Sequence, residues 1–81
     1  MTEITGLSVY NFWFDDWGGR DAAKALAAGL AEVIAEADID VVAAEKGNFF
    51  CVAVDPEHYD KASGIALSYV SGASACNAKP H

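Results

Sequence analysis

Few residues in this 81-residue chain have side chains suited to catalysis or to binding a transition metal. The histidines are His58 and His81, and the cysteines are Cys51 and Cys76. His58 follows a helix-start signal, where the helix dipole disfavours a positive charge, so we expect it to face solvent. The cysteines form no CxxC motif and have no histidine pair beside them, which disfavours a zinc site. We therefore predict no catalytic residue, no metal and no cofactor, although a triad assembled only in the folded chain stays open.

The cysteines and the chain start both favour a cytoplasmic protein. Cys51 lies among apolar residues of a predicted strand, where a buried thiol is unreactive. A bridge between Cys51 and Cys76 is one alternative, but a reduced pair is the simpler expectation in the cytosol. The segment Met1-Thr2-Glu3-Ile4 lacks the basic start and apolar core of a signal peptide. No apolar run is long enough to span a bilayer, so we predict a cytoplasmic location.

Three aspartates, Asp15, Asp16 and Asp21, are close enough in sequence to surround a divalent cation, since hard cations prefer several carboxylates. Their spacing matches no calcium-binding loop, so a solvated loop between two elements is the favoured interpretation. The segment Gly18-Gly19-Arg20, before a predicted helix, is similar in outline to an anion-binding turn. Because three aspartates flank this segment, repulsion of phosphate disfavours a nucleotide site.

A second acidic cluster comprises Glu32, Glu36, Asp38 and Asp40. Glu32 and Glu36 are one turn apart on a predicted helix, where like charges repel by a few tenths of a kcal/mol. Both lie toward the C-terminal end of that helix, where the helix dipole also disfavours anions. A sequence choice that opposes local stability without visible compensation indicates function, and the alternative is a solvated helix face without a role.

An aromatic stretch precedes the first acidic cluster, with five aromatic residues among the eight from 10 to 17. Because side chains on a strand alternate between faces, Tyr10, Phe12 and Phe14 are expected to point into the core. Trp13 then points to the opposite face, and Trp17 follows in the loop beside the aspartates. Tryptophan is enriched in the dominant contacts of protein interfaces, so we predict that Trp13 and Trp17 contact a partner.

The elements that must position these residues are three strands and two helices. The strands are predicted from apolar and β-branched runs over residues 4–14, 39–45 and 49–54. The first helix is predicted from about Asp21 to Ala37, because its apolar residues recur at helical spacing. The segment Asp55-Pro56-Glu57 predicts the start of the second helix, since aspartate caps helices and proline suits their first turn.

The second helix either continues to Gly72 or ends at Gly64, which would release residues 65–70 as a fourth strand; we favour the longer helix. The order is therefore β-α-β-β-α, with an optional last strand. A right-handed crossover makes the first two strands parallel, and the third fits between them, antiparallel to both. We predict one small α+β domain over residues 1–81, of the split β-α-β or ferredoxin-like type, with both helices on one face of the sheet. Residues 73–81 are predicted to form a flexible tail.

The charge balance constrains the class of partner. Twelve acidic and five basic residues give a net charge of −7. Direct binding to nucleic acid is disfavoured, because it needs a positive surface that releases counterions. The same charge suits docking on a basic protein that handles nucleic acid. The alternative is that the acidity only keeps a small apolar domain in solution.

In size, acidity and lack of catalytic residues, the chain resembles small phage-encoded inhibitors, including anti-CRISPR proteins. These inhibitors share no sequence signature, so no residue role is carried over from them. The resemblance implies a non-enzymatic protein that blocks a basic partner, either by steric occlusion or by mimicking nucleic acid. Acidic side chains would then stand in for phosphates, and the two tryptophans would anchor the contact. The predicted partner-binding residues are Trp13, Asp15, Asp16, Trp17, Glu32, Glu36, Asp38 and Asp40.

Two other functions stay open at this point. One is a self-associating structural or regulatory module, in which the sheet face that carries Trp13 is buried in a symmetric dimer. The other is a small ligand-binding or enzymatic ferredoxin-like domain, with a pocket between the sheet and the helices. Such a pocket needs a polar group inside the core, for which His58, Tyr59 and Asn11 are the candidates.

Overall fold

The computed structural model describes residues 6–74, with the side chains of residues 6–70. Its strands are β1 (Leu7–Trp13), β2 (Val41–Lys46) and β3 (Phe49–Val54). Its helices are α1 (Phe14–Trp17), α2 (Arg20–Glu36) and α3 (Tyr59–Ser74), and a 3₁₀ turn (Pro56–His58) leads into α3. Residues 73–81 are predicted to be a flexible tail, but residues 73 and 74 belong to α3. Residues 75–81 lie outside the described part of the chain.

The sheet confirms the predicted α+β class. Its strand order is β1-β3-β2, and β3 is antiparallel to both neighbours. The two outer strands are therefore parallel to each other, as the crossover argument predicts. Residues from α2 and α3 join one face of the sheet in a single apolar core, against which α1 also packs. The predicted order β-α-β-β-α is thus correct, with the short α1 as an addition.

The structure decides between the two alternatives for residues 65–70. They belong to α3, which runs through Gly64 without interruption, so the part of the chain that the structure describes has no fourth strand. Glycine inside a helix costs about 1 kcal/mol, but the apolar stripe of α3 is fully buried against the sheet. That stripe consists of Ala62, Ala66 and Val70.

The first strand runs from Leu7 and ends one residue earlier than predicted, because the chain leaves the sheet after Trp13, whereas residues 4 and 5 of the predicted strand lie outside the described residues. Residues 14–17 form the helix α1 instead of continuing the strand. The backbone N–H of Phe14 donates to the carbonyl of Asn48 in the β2–β3 turn at 3.0 Å, which fixes the point of exit. Gly18 then ends α1 in the left-handed conformation (φ 88°), which glycine adopts without a steric penalty.

The core combines small residues on the helices with large ones on the sheet. The helix α2 buries a stripe at helical spacing, formed by Ala23, Ala27, Leu30 and Ile34. The sheet buries Tyr10, Phe12, Phe50, Val52 and Val54 against it. Helices α2 and α3 approach each other at Gly29, where a side chain would collide with the Tyr69 hydroxyl group. None of the helices in residues 6–74 combines the length and the apolar composition needed to cross a membrane.

Candidate functional site

The sheet has a second face, turned away from the described helices, that we call the outer face. Strand register places its side chains in three rows across the sheet. The rows consist of Trp13, Phe49 and Lys46; of Asn11, Cys51 and Ala44; and of Ser8, Ala53 and Val42. Only Lys46 among them carries a charge. This face is therefore largely apolar, although it lies outside the helix-covered core.

The outer face is accessible mainly along its edge strands. Cys51 and Ala53 of the central strand are buried, whereas Ala44 is half-buried and Val42 is 39% exposed. Cys51 thus lies buried within a strand, as the sequence predicts, while Cys76 lies outside the described residues. An accessible apolar surface on a strand-built face is a feature of protein interaction sites.

An aromatic pair lies at the hairpin end of the outer face. The rings of Trp13 and Phe49 are 4.3 Å apart between centroids, and both side chains are half-buried. Asp15, which is exposed, and Asp16, which is half-buried, follow directly in α1. Trp13 and both predicted aspartates therefore lie at the same end of the sheet. Phe49 was not among the predicted site residues. Strand alternation along β3 would have placed its side chain on the face of the sheet opposite to that of Phe50.

Trp17 does not share this surface, which corrects the position predicted from the sequence. Because residues 14–17 turn back as a helix, the Trp17 ring packs against the core, with its centroid 5.6 Å from that of Phe12. Phe14 also packs against the core, as predicted, but it does so from α1 and not from a strand, 5.8 Å from Phe50.

The two acidic clusters lie at opposite ends of the sheet. Asp15 and Asp16 are at the hairpin end, whereas Asp38 and Asp40 lie three residues and one residue before the first residue of β2. The six residues of β2 span about 20 Å, so the predicted acidic residues do not form one surface. Glu32 and Glu36 belong with the second group, since they lie in the last turns of α2. All four residues of this second group are exposed.

At the hairpin end, Arg20 is bound to Glu45 of β2. The guanidinium donates from Nε to Oε2 at 3.1 Å and from Nη2 to Oε1 at 2.8 Å, and it lies 5.6 Å from the centre of the Phe50 ring. These hydrogen bonds are the largest cause of the lowered pKa of Glu45. The charges of Arg20 and Lys24 lower this pKa further, and burial partly opposes the effect. The same contact raises the pKa of Arg20. Arg20 thus ties α2 to β2, and it is not turned toward an anion site at the preceding glycines.

At the opposite end of the sheet, Asp55 is an N-cap residue as predicted, but it caps the 3₁₀ turn that precedes α3 and not α3 itself. Its carboxylate accepts from the His58 backbone N–H at 3.0 Å and lies 2.9 Å and 3.1 Å from the Nδ1 atom of the His58 ring. Burial raises the pKa of Asp55, but the hydrogen bonds from His58 outweigh it, and the pKa lies below its ordinary value. Glu57 is close enough for its carboxylate to complete a possible metal-ligand triad with these two residues. N-capping accounts for the geometry without an ion.

A groove of about 420 Å³, which we call the terminal groove, lies at this same end. Its lining consists of Gly6, Asp40, Val41, Val42, Ala53, Val54, Asp55 and Pro56. His58 does not line it. Among residues 6–70, no serine, threonine, asparagine, histidine or charged side chain is buried. Asn11 accepts from the Ser8 hydroxyl at 2.8 Å at the surface, and Tyr59 is half-buried at the edge of the core.

No protein-family model matches the chain, and comparisons with curated proteins and with solved structures found no match. The arrangement of residues is thus the basis for assigning a class of function. That arrangement is a helix-backed sheet with an aromatic, apolar outer face and acidic residues at both of its ends.

Proposed function

We propose that this protein is a non-enzymatic interaction protein that docks through the outer face of its sheet on a basic protein that handles nucleic acid. The observation that carries the proposal is the half-exposed Trp13–Phe49 pair on the face turned away from the helices. Large aromatic side chains supply much of the binding energy of protein interfaces, especially where they sit among smaller apolar residues. Here the smaller residues are Ala44 and Val42.

The charge of the protein favours a basic partner over other occupants of this face. The net charge is −7, and Asp15 and Asp16 lie two and three residues after Trp13 in the chain. Acidic residues beside an apolar contact steer a basic partner into place and repel acidic competitors. A second copy of this chain would bring the same excess of negative charge to the contact, which opposes self-association at low ionic strength.

The finer form of the proposal is a cytoplasmic phage-encoded inhibitor of the anti-CRISPR type. The separation of the acidic clusters supports steric occlusion over nucleic-acid mimicry. A mimic needs its carboxylates in a continuous line, like successive phosphates, whereas these clusters lie at opposite ends of a strand about 20 Å long, with an apolar face between them. The protein would then act by covering the nucleic-acid-binding surface of its partner.

The test compares two substitutions at adjacent positions of β2. Ala44 lies on the outer face and Ala43 on the helix side, where it is exposed. Ala44→Lys and Ala43→Lys add the same charge, and an edge strand tolerates lysine. Basic proteins are first captured from a nuclease-treated bacterial lysate, and the affinity of the purified partner is then measured for each variant. We expect Ala44→Lys to weaken binding at least about tenfold and Ala43→Lys no more than about threefold.

Three results would contradict the proposal. One is equal loss of affinity in the two variants, because it would mean that only net charge matters. Another is a captured partner that is neither basic nor nucleic-acid-handling. The third is a mass of two chains in solution that Ala44→Lys halves and Ala43→Lys does not, since this would assign the outer face to a homodimer.

A further inference from the structure

The terminal groove combines apolar walls with two carboxylates that come from different parts of the chain. Val42 and Ala53 are cross-strand neighbours on the outer face and form part of its lining. Asp40 lies just before β2, and Asp55 just after β3. The pairing of Val41 with Val54 brings these two aspartates to the same end of the sheet.

The groove is large enough to admit a long side chain. Its volume of about 420 Å³ falls in the range of small-ligand sites, which is about 300–1,000 Å³. Gly6 closes one side, because its Cα lies so near the Val54 carbonyl that a side chain would collide with the backbone. The groove is continuous with the outer face through Val42 and Ala53.

The electrostatics of the groove select a cation. None of its eight lining residues is basic. The hydrogen bonds from His58 hold the pKa of Asp55 below its ordinary value, so this carboxylate is charged at neutral pH. Asp40 is exposed, and no ion pair within the described residues involves it. Phosphates and other anions are disfavoured here by the same two carboxylates.

We propose that the terminal groove binds the side chain of an arginine or lysine from the partner, which rests on the proposed docking of a basic protein on the outer face. Both side chains have an aliphatic stem and a cationic head, and such stems pack along apolar surface while the head stays polar. In the groove, the stem would lie along the exposed Val42, and the head would reach the carboxylates of Asp40 and Asp55. Charge-assisted hydrogen bonds of this kind are stronger than neutral ones.

The test is an NMR titration of the full ¹⁵N-labelled chain with acetyl-Gly-Arg-Gly-amide, its lysine counterpart, and a neutral citrulline counterpart. We expect saturable shifts of the Val42, Ala53 and Asp55 amides with the two cationic peptides only. A larger response to arginine than to lysine would identify a bidentate contact, and equal responses would identify a purely ionic one; either supports the groove as a cation site. Equal shifts with citrulline, or shifts that do not saturate, would overturn the proposal.

Matched variants localise the effect. Asp40→Asn removes one charge from the groove, and Asp15→Asn removes one charge at the opposite end of the sheet. We expect the first to lower the affinity for the arginine peptide about tenfold and the second to leave it nearly unchanged. Asp55→Asn is the second groove variant, since asparagine keeps the N-cap while losing the charge. Equal effects of Asp40→Asn and Asp15→Asn would also overturn the proposal.

The two proposals fail separately. If the peptide binds in the groove but Ala44→Lys and Ala43→Lys weaken partner binding equally, docking on the outer face is wrong and the groove remains a cation site. If Ala44→Lys abolishes partner binding while Asp40→Asn changes neither peptide nor partner affinity, the groove proposal is wrong and docking remains.

Discussion

Both ends of the sheet are acidic, but they differ in how many of their acidic side chains pair with a basic group. At the hairpin end, Arg20 forms two hydrogen bonds with Glu45, and its guanidinium lies 3.7 Å from Asp21. At the groove end, Asp55 contacts the His58 ring, but the acidic residues between the last turns of α2 and the start of β2 pair with no cation among the described residues. Those residues are Glu32, Glu36, Asp38 and Asp40.

The paired acidic side chains stabilise the fold, whereas the unpaired ones do not. The Arg20–Glu45 contact connects the start of α2 to β2 and lies over the core residue Phe50. Glu36, in contrast, lies at the C-terminal end of α2, where the helix dipole opposes it. The hairpin end therefore offers aromatic contact with its charges partly neutralised, and the groove end offers charge. A basic partner across the outer face would use both.

The largest predicted effect compares a glycine at each end of the sheet. Gly6 (φ 100°) and Gly47 (φ 59°) both have positive φ, but only Gly6 would place a side chain against backbone, at Val54. We expect Gly6→Ala to lower the free energy of unfolding by about 3 kcal/mol, since it adds a collision to the backbone strain. Gly47→Ala adds strain alone and should cost about 1 kcal/mol. Urea denaturation measures both, and equal losses would show that Gly6 does not close the groove tightly.

The fold was predictable where local sequence signals and tertiary packing agree. In α2, the spacing of Ala23, Leu30 and Ile34 predicts the face that the structure buries. The Asp55-Pro56 pair predicts the turn that leads into α3, and the predicted bounds of β3 match the structure. These signals lie within a few residues of the structure that they specify, so they can be read without knowing the fold.

The parts that were not predicted depend on contacts between distant residues. The end of β1 is fixed by a hydrogen bond from Phe14 to Asn48, which no pattern near residue 14 encodes. The predicted first strand therefore runs one residue too far, to Phe14, and Trp17 is predicted in a loop instead of in α1. The terminal groove was missed for the same reason. Asp40 and Asp55 are 15 residues apart, and only the register of β2 on β3 brings them together.

The next prediction concerns the pH dependence of stability at the hairpin end. Because the pKa of Glu45 is lowered in the folded protein, its ion pair stabilises the fold above the ordinary carboxyl pKa of about 4.5. The contribution is lost as the pH falls through the lowered, folded-state pKa. Glu45→Gln should therefore be less stable than the natural chain at pH 7, and the two should converge as the pH falls through the folded-state pKa of Glu45. Urea midpoints from pH 7 to 3 test this convergence.

The control for this prediction is Asp15→Asn, which also removes one carboxylate from the hairpin end but leaves the Arg20–Glu45 contact intact. Its stability should run roughly parallel to that of the natural chain over the same pH range. The carboxylate of Asp55 contributes acid sensitivity of the same sign in all three proteins, because its pKa is also lowered. If Glu45→Gln and the natural chain stay equally far apart at every pH, the ion pair is not the source of the difference.

The smallest predicted effect tests whether the groove-end acids oppose the fold. Glu36→Lys places a cation at the C-terminal end of α2 and turns the repulsion from Glu32 into an attraction. We expect a gain of about 0.5 kcal/mol in the free energy of unfolding. Asp21→Lys changes the net charge equally at the N-terminal end of the same helix, where the dipole favours an anion, and should lower stability. Urea denaturation at low ionic strength compares the stabilities of the two variants.

The test rests on the sign of the change in the free energy of unfolding in each of these two variants. Relief of the overall negative charge is common to both, so a gain of the same size in each would mean that position on the helix is irrelevant. A gain for Glu36→Lys alone would show that the natural residue is retained at a cost to stability. If the same variant also weakens partner binding, the unpaired acids at the groove end contribute to recognition. If binding is unchanged, recognition belongs to the aromatic end of the outer face.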